Sequence, residues 1–214
     1  MAEVSGTRRR SADIRSAMID AAERIVSEEG VSAVTARRVA SEVGVAVGTT
    51  YNVFDNLGAL IAAVNARTFA ALAETMSEVK VEGRATREVL LDFADRYADF
   101  VHRNERRWLA VFETEMPADG AEPPNQPTVD RLFATLERAI RAHDRRIDDK
   151  LASQSARGLW AAVHGLLILS AAGRLGAIRL DSVRPTIEHL VQCHLAGLEE
   201  LVKRRKDGDQ LPMF

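Results

Sequence analysis

The sequence predicts an all-α protein: a small N-terminal unit of three helices, then a larger helical unit. Three observations carry that prediction. Apolar residues recur at spacings of three and four along nearly all of the 214 residues, and strand-like alternation is almost absent. Hydrophobic residues make up 46% of the chain and charged residues 28%, enough for a sizeable core, which excludes a disordered or collagen-like chain. A single cysteine excludes a disulfide framework and suits a reducing compartment.

The first helix follows from Ile14, Met18, Ala21, Ile25 and Val26, which share one face, with Ser11 as N-cap and Gly30 as the C-terminal stop. A second, short helix starts at Thr35, whose hydroxyl can accept an orphan backbone N–H. Val34 and Val39 occupy the staple positions around it. That helix turns Val39, Ala40 and Val43 inward and ends at Gly44. A third runs from after Val45 to about Phe54. Asp55 or Asn56 then caps a long helix carrying Leu57, Leu60, Ile61, Val64, Leu72 and Met76, which fades over 80–86 around Gly83. The expected domains are 11–71, with a helix-turn-helix at about 34–53, and 84–206.

In the second unit, helices are expected from about Arg87 to His102 and through Trp108 to Glu115. Met116 to Thr128 holds four of the six prolines and reads as a loop. Helical spacing resumes with Val129, Leu132, Phe133, Leu136 and Ile140. The next helix, about 151–175, is apolar nearly all round from Leu159 to Leu169, so burial on more than one side is expected. The last runs from about Ser182 to Arg205, and the tail after Lys206 reads as frayed.

The formal net charge is −2 and the sequence pI near 6.2. Residues 1–60 hold seven arginines, no lysine and eight acids, a formal net of −1. Any nucleic-acid partner must therefore be held by local charge. No run reaches the ~18 consecutive apolar residues of a membrane span. The longest candidate, around Leu159 to Ala172, is interrupted by His164 and Ser170. Arg8, Arg9 and Arg10 are not followed by the apolar stretch of a secretory signal. A cytoplasmic location without a membrane partner is expected.

Three short helices, the second and third joined by a tight turn at Gly44, fit a helix-turn-helix. Its third helix enters the DNA major groove and its second crosses the backbone. Ala40 is small where those helices pack closely. Val47, Gly48, Thr49, Tyr51 and Asn52 occupy the outward positions of the third helix. Gly48 costs roughly 1 kcal/mol against alanine in a helix, understandable where backbone must approach a phosphate or base. Thr49 and Asn52 can hydrogen-bond to base edges or phosphates, and Tyr51 can donate to a phosphate. Arg37 and Arg38 lie in the first turn of the second helix, where arginine can bind phosphate or guanine bidentately. With Thr35 and Asn56 these form the candidate DNA contacts. Arg8 to Arg10 are either a minor-groove arm or a solvated tail.

The unbroken run from Thr35 to Phe54 (TARRVASEVGVAVGTTYNVF) resembles the DNA-binding signature of the tetracycline-repressor (TetR) family, and the likeness extends over about 11–71. Trp160-Ala161-Ala162-Val163-His164-Gly165 resembles the Trp-x-x-His-Gly signature of one subgroup's C-terminal domain. The resemblance implies a homodimeric transcriptional regulator, a repressor reading an inverted-repeat operator in double-stranded DNA and released by a small molecule. Its two reading heads would lie roughly 34 Å apart, one turn of B-DNA. Arg37 is the first contact it implies. The chain departs from the family pattern twice: Ala46 stands where a serine or threonine usually caps the third helix, leaving a phosphate contact to backbone N–H groups. Leu57 stands where a lysine usually touches a phosphate, a loss that Asn56 or the helix N-terminus can offset.

An all-α carrier without DNA binding and a small enzyme using His164 are the rival readings. For the effector, Tyr97, Phe100, Trp108, Phe112, Phe133, Trp160 and His164 are candidates, beside the plainer reading of an aromatic core that also includes Phe69 and Phe93. Trp160 and His164 lie one helical turn apart, so they either line the cavity or pack as core. Leu167, Leu190, His194, Leu198 and Leu201 are the candidate dimer residues, on two helices expected to form a four-helix interface. His189 and Cys193 are i,i+4 neighbours, but no third or fourth ligand at zinc-site spacing accompanies them, so no metal is expected. No metalloprotease motif, nucleophile elbow, phosphate loop or dinucleotide fingerprint is present, so neither a cofactor nor an enzyme is expected.

Overall fold

The computed structural model describes residues 2–113, 126–178, 180 and 182–206. The described residues are helical with short connections. The helices are α1 (Ala2–Glu29), α2 (Ala36–Val43), α3 (Val47–Val53), α4 (Leu57–Ser77), α5 (Thr86–Arg103), α6 (Glu105–Glu113), α7 (Gln126–His143), α8 (Asp149–Ala171) and α9 (Val183–Lys206). Single 3-10 turns lie at Val31–Ala33 and Leu175–Ile178.

The chain divides into two compact units. One comprises 1–71 with 103–126, the other 72–102 with 127–214. The first differs in membership from the expected 11–71, because α6 joins it. Ala110 lies in the same core as Met18, Ile25, Val26, Val39, Phe54, Leu60 and Val64, and Arg107 pairs with Glu23 at 2.8 Å.

Ser11 does not cap α1. The helix begins at Ala2, so Ser11 is an interior residue and Arg8 to Arg10 sit on helical backbone rather than in an extended arm. The expected loop up to Thr128 ends earlier. Helix α7 already starts at Gln126 with Pro127 in its first turn, where a missing N–H costs nothing; the rest of that loop lies outside the described residues, as do residues 114 and 115 and the tail after Lys206. Asp148 caps α8 by accepting the Leu151 N–H at 2.7 Å.

Helix α4 is long and apolar enough to cross a membrane by length and composition alone. Its first turns instead enter the core of the first unit through Leu60 and Val64. Arg67 there pairs with Asp20 at 2.5 Å and Glu23 at 3.0 Å. In the second unit Leu159, Val163 and Leu167 of α8 and Ile187, Val191, Leu195, Leu198 and Val202 of α9 are buried. Ala161, Ala162 and Gly165, on the opposite side of α8, are exposed, so within one chain this helix is buried on one side.

Candidate nucleic-acid interface

Local chemistry builds the helix-turn-helix. Thr35 is extended, and its hydroxyl accepts the Arg38 N–H at 3.2 Å, capping α2. Val34 and Val39 are both buried, as the staple requires. At the other end Gly44 takes φ 74° and ψ 34°. Its N–H donates to the Ser41 carbonyl at 3.2 Å and the Val45 N–H to the Ala40 carbonyl at 2.9 Å, the paired bonds of a Schellman stop. Ala40, expected to be small where the helices pack, is fully buried.

Helix α3 is thereby rolled so that Thr50, 1% exposed, and Phe54 face the core. Val47 (40% exposed) and Tyr51 (58%), one turn apart, face outward, with Gly48 and Asn52 beside them and Thr49 half-buried. A Cβ added at Gly48 would meet nothing within 4 Å, so no protein neighbour accounts for that glycine. Ala46 is the N-cap and makes no side-chain hydrogen bond. Leu57 packs against the core, while the Asn56 Oδ1 accepts the Ala59 N–H at 2.8 Å and so caps α4.

The cations of this surface differ sharply in their freedom. Arg37 is exposed, and no ion pair of its side chain occurs among the described residues. Arg38 is committed: Nη1 donates to Glu29 Oε2 at 2.9 Å, Nη2 donates to Glu29 Oε1, and Nε lies 3.6 Å from Glu42. The hydrogen bond from Arg38 holds the Glu29 carboxyl below its ordinary range. Glu42 also pairs with Arg24 at 3.0 Å. Arg15 is also partly engaged, its guanidinium 4.9 Å from the Phe54 ring centroid.

In the second unit four of the expected effector residues come together. Trp160 stacks on His164 at 4.7 Å, and Phe133 meets Trp160 edge-on at 5.7 Å. The Tyr97 hydroxyl lies 2.6 Å from His164 Nδ1. Burial pushes the His164 imidazole below its ordinary range. Beside this cluster lies a cavity of about 20 Å³, walled by Leu90, Phe93, Tyr97, Leu136, Ile140, Trp160 and Val163 among others. Phe100 is buried in the same unit but does not line that cavity. Trp108 and Phe112 do not join it either. They group with Phe69 in the first unit, at centroid distances of 5.3 and 5.7 Å from Trp108. Of the expected dimer residues, Leu167 and Leu198 are already buried in this chain's own core, while Leu190, His194 and Leu201 are half-buried. His189 lies 3.5 Å from the Cys193 sulfur, and no group of three metal-ligating side chains occurs among the described residues.

Two family models match. "Bacterial regulatory proteins, tetR family" matches residues 18–64, and "Tetracyclin repressor-like, C-terminal domain" matches residues 90–194, together 152 of the 214 residues. The chain belongs to the TetR family. A relative, the uncharacterized HTH-type transcriptional regulator Rv0681 of Mycobacterium tuberculosis, is 25% identical over 169 residues, covering 79% of this chain and 75% of that protein. A protein of unknown function from Rhodococcus sp. RHA1 shares the fold with a TM-score of 0.68 and 20% identity, over 86% of this chain and 94% of that one. A TetR variant from Acinetobacter baumannii AYE, solved with minocycline, has a TM-score of 0.61 at 20% identity, over 86% of this chain and 96% of that one. This TetR-family chain is a DNA-binding transcriptional regulator and not an enzyme.

Proposed function

We propose that the protein is a repressor that binds an inverted-repeat operator as a homodimer and leaves it when a small molecule occupies the second unit. The observation that carries the reading is the outward face of α3. Val47, Gly48, Tyr51 and Asn52 are exposed on a helix whose other face is locked into a core. Thr49, Arg37, Thr35 and Asn56 extend the contact surface, with Val47 suited to a thymine methyl and Asn52 to adenine. Arg38 is left out of the contact set because its guanidinium is committed to carboxylates.

The second copy covers the side of α8 that carries Ala161, Ala162 and Gly165 and the side of α9 that carries Leu190 and Leu201, surfaces of small or apolar residues exposed or half-exposed in one chain. The effector enters at Tyr97, Phe133, Trp160 and His164. A cavity of about 20 Å³ holds about one water, far below the ~300–1,000 Å³ of a drug-sized site. Binding therefore requires the surrounding helices to part, and a ligand that prefers the parted state shifts the population away from the DNA-binding one. The minocycline bound by the similarly folded Acinetobacter protein supports a small-molecule effector here. The location that suits these partners is the cytoplasm.

Footprinting on DNA upstream of the protein's own gene tests the reading. Protection of an inverted repeat, lost with rising salt, is the expected result. No protection of any palindromic duplex at low salt refutes it. Native mass spectrometry of freshly purified protein reads both the dimer and a co-purified effector.

A further inference from the structure

Residues 11–71 are short of positive charge, and most of what they have is tied up. Among the described side chains of 11–71 there are five arginines, at 15, 24, 37, 38 and 67, and seven acids. Arg24, Arg38 and Arg67 each meet at least one carboxylate within 3.0 Å. Arg38 is the most heavily held, gripped at both terminal nitrogens by Glu29 and approached by Glu42 one turn along α2.

Glu29 stands in an unfavourable place for its own helix. It follows Glu28 in the last turn of α1, which contains no basic residue. The helix dipole disfavours an anion there. The ion pair is also exposed, with side chains 35% and 49% accessible, so solvent screens its contribution to stability. The contact does, however, decide where a cation points. Arg38 is adjacent to Arg37 in the turn that opens α2, beside the reading helix.

We infer that Glu29, with Glu42, is a charge brake: it withholds Arg38 from DNA phosphates and so keeps sequence-independent affinity low. Glu29 is thus a positioning residue, acting through Arg38 rather than touching DNA.

The test uses the full chain and a fluorescein-labelled duplex of generic sequence, with anisotropy titrations from 50 to 200 mM NaCl. Each phosphate contact contributes about 0.9 to the slope of log affinity against log salt. Glu29→Gln should bind more tightly at 50 mM and steepen the slope by about 0.9 per head, ~1.8 for a dimer. Arg38→Gln should leave the wild-type slope unchanged, and the double variant E29Q/R38Q should return to it. A purely structural strut would lower the melting temperature of both single variants alike without moving either slope. The inference is overturned if Glu29→Gln leaves the slope where it was. It is equally overturned if Arg38→Gln alone flattens the slope, because Arg38 would then already be on a phosphate. Absence of wild-type binding to this generic duplex at 50 mM leaves the operator reading to its own footprint test; a gain of binding in Glu29→Gln would then report the brake, and no binding by either protein would overturn it.

Discussion

Replacing Gly44 by alanine isolates the conformational demand of the turn between α2 and α3. The residue sits at φ 74° and ψ 34°, and a Cβ added there would meet nothing within 4 Å. Steric clash therefore contributes nothing, and both capping hydrogen bonds survive, since they use backbone atoms. What remains is the left-handed penalty of an L-residue, roughly 1–2 kcal/mol. Alanine's smaller unfolded-state freedom returns about 0.4–1 kcal/mol of it. The net is a destabilisation of ~1 kcal/mol. Gly44→Asn should cost much less, because asparagine tolerates this region. Gly30 supplies the contrast. It too has open space around it, but at φ 91° and ψ 170° it occupies a region essentially reserved for glycine. Alanine and asparagine should there cost alike, about 1–3 kcal/mol. Urea unfolding at one fixed protein concentration measures all four variants, with unchanged m-values marking intact native states. DNA affinity well below the unfolding transition should be unaltered at position 44, because no outward side chain of α3 changes. A neutral Gly44→Ala, or an asparagine as costly as the alanine, would refute this account of the turn.

Two further expectations follow from charge and burial. Arg37→Gln should flatten the salt dependence of DNA binding by ~1.8 for a dimer, so between 50 and 200 mM salt the wild type should lose about tenfold more affinity than the variant; parallel salt plots would remove Arg37 from the contact set. The second concerns His164, held below its ordinary value of 6.5 by burial in the folded chain. The unfolded chain takes up this proton first, so stability should rise with pH through the window between the lowered value and 6.5, and be lost on acidification through it. His164→Gln should shrink the fall in melting temperature between pH 7.5 and 5.5, only in part because His194 is lowered in the same way. An equally large fall in the variant would show that His164 carries none of it.

The helix-turn-helix was legible because its signals are local. Thr35 and Arg38, or Ala40 and Val45, bond across three to five residues, and such spacings are written directly in the sequence. The same logic failed where the outcome depends on distant partners. Phe100 and Trp108 share a helical spacing, yet the helix is interrupted at residue 104 between α5 and α6, and the two aromatics enter different cores. Hydrophobic period reports that a residue is buried, not which core receives it. Ser11 has the chemistry of a cap, but α1 continues through it to Ala2, since capping propensity decides only where a helix actually ends. Arg38 shows the limit for charge. Its composition and position matched those of Arg37, and only the geometry that brings Glu29 against it, nine residues away, separates a committed cation from an exposed one.

That separation bears on how this regulator discriminates DNA. Non-specific affinity is essentially electrostatic, whereas readout of base edges by neutral donors and apolar groups is indifferent to salt. A head that ties Arg24, Arg38 and Arg67 to carboxylates gives up the first term. The proposed contacts of Val47, Thr49, Tyr51 and Asn52 do not draw on it. Removing phosphate contacts lowers affinity for every sequence by the same factor, so alone it leaves the ratio of operator to bulk DNA unchanged. Where competing sites number in the millions, weaker binding to each leaves more free dimer, and this offsets the equal loss of operator affinity. An acid that restrains one arginine per head therefore sets how much dimer stays free of bulk DNA, while the preference for the operator rests on the proposed base-edge contacts.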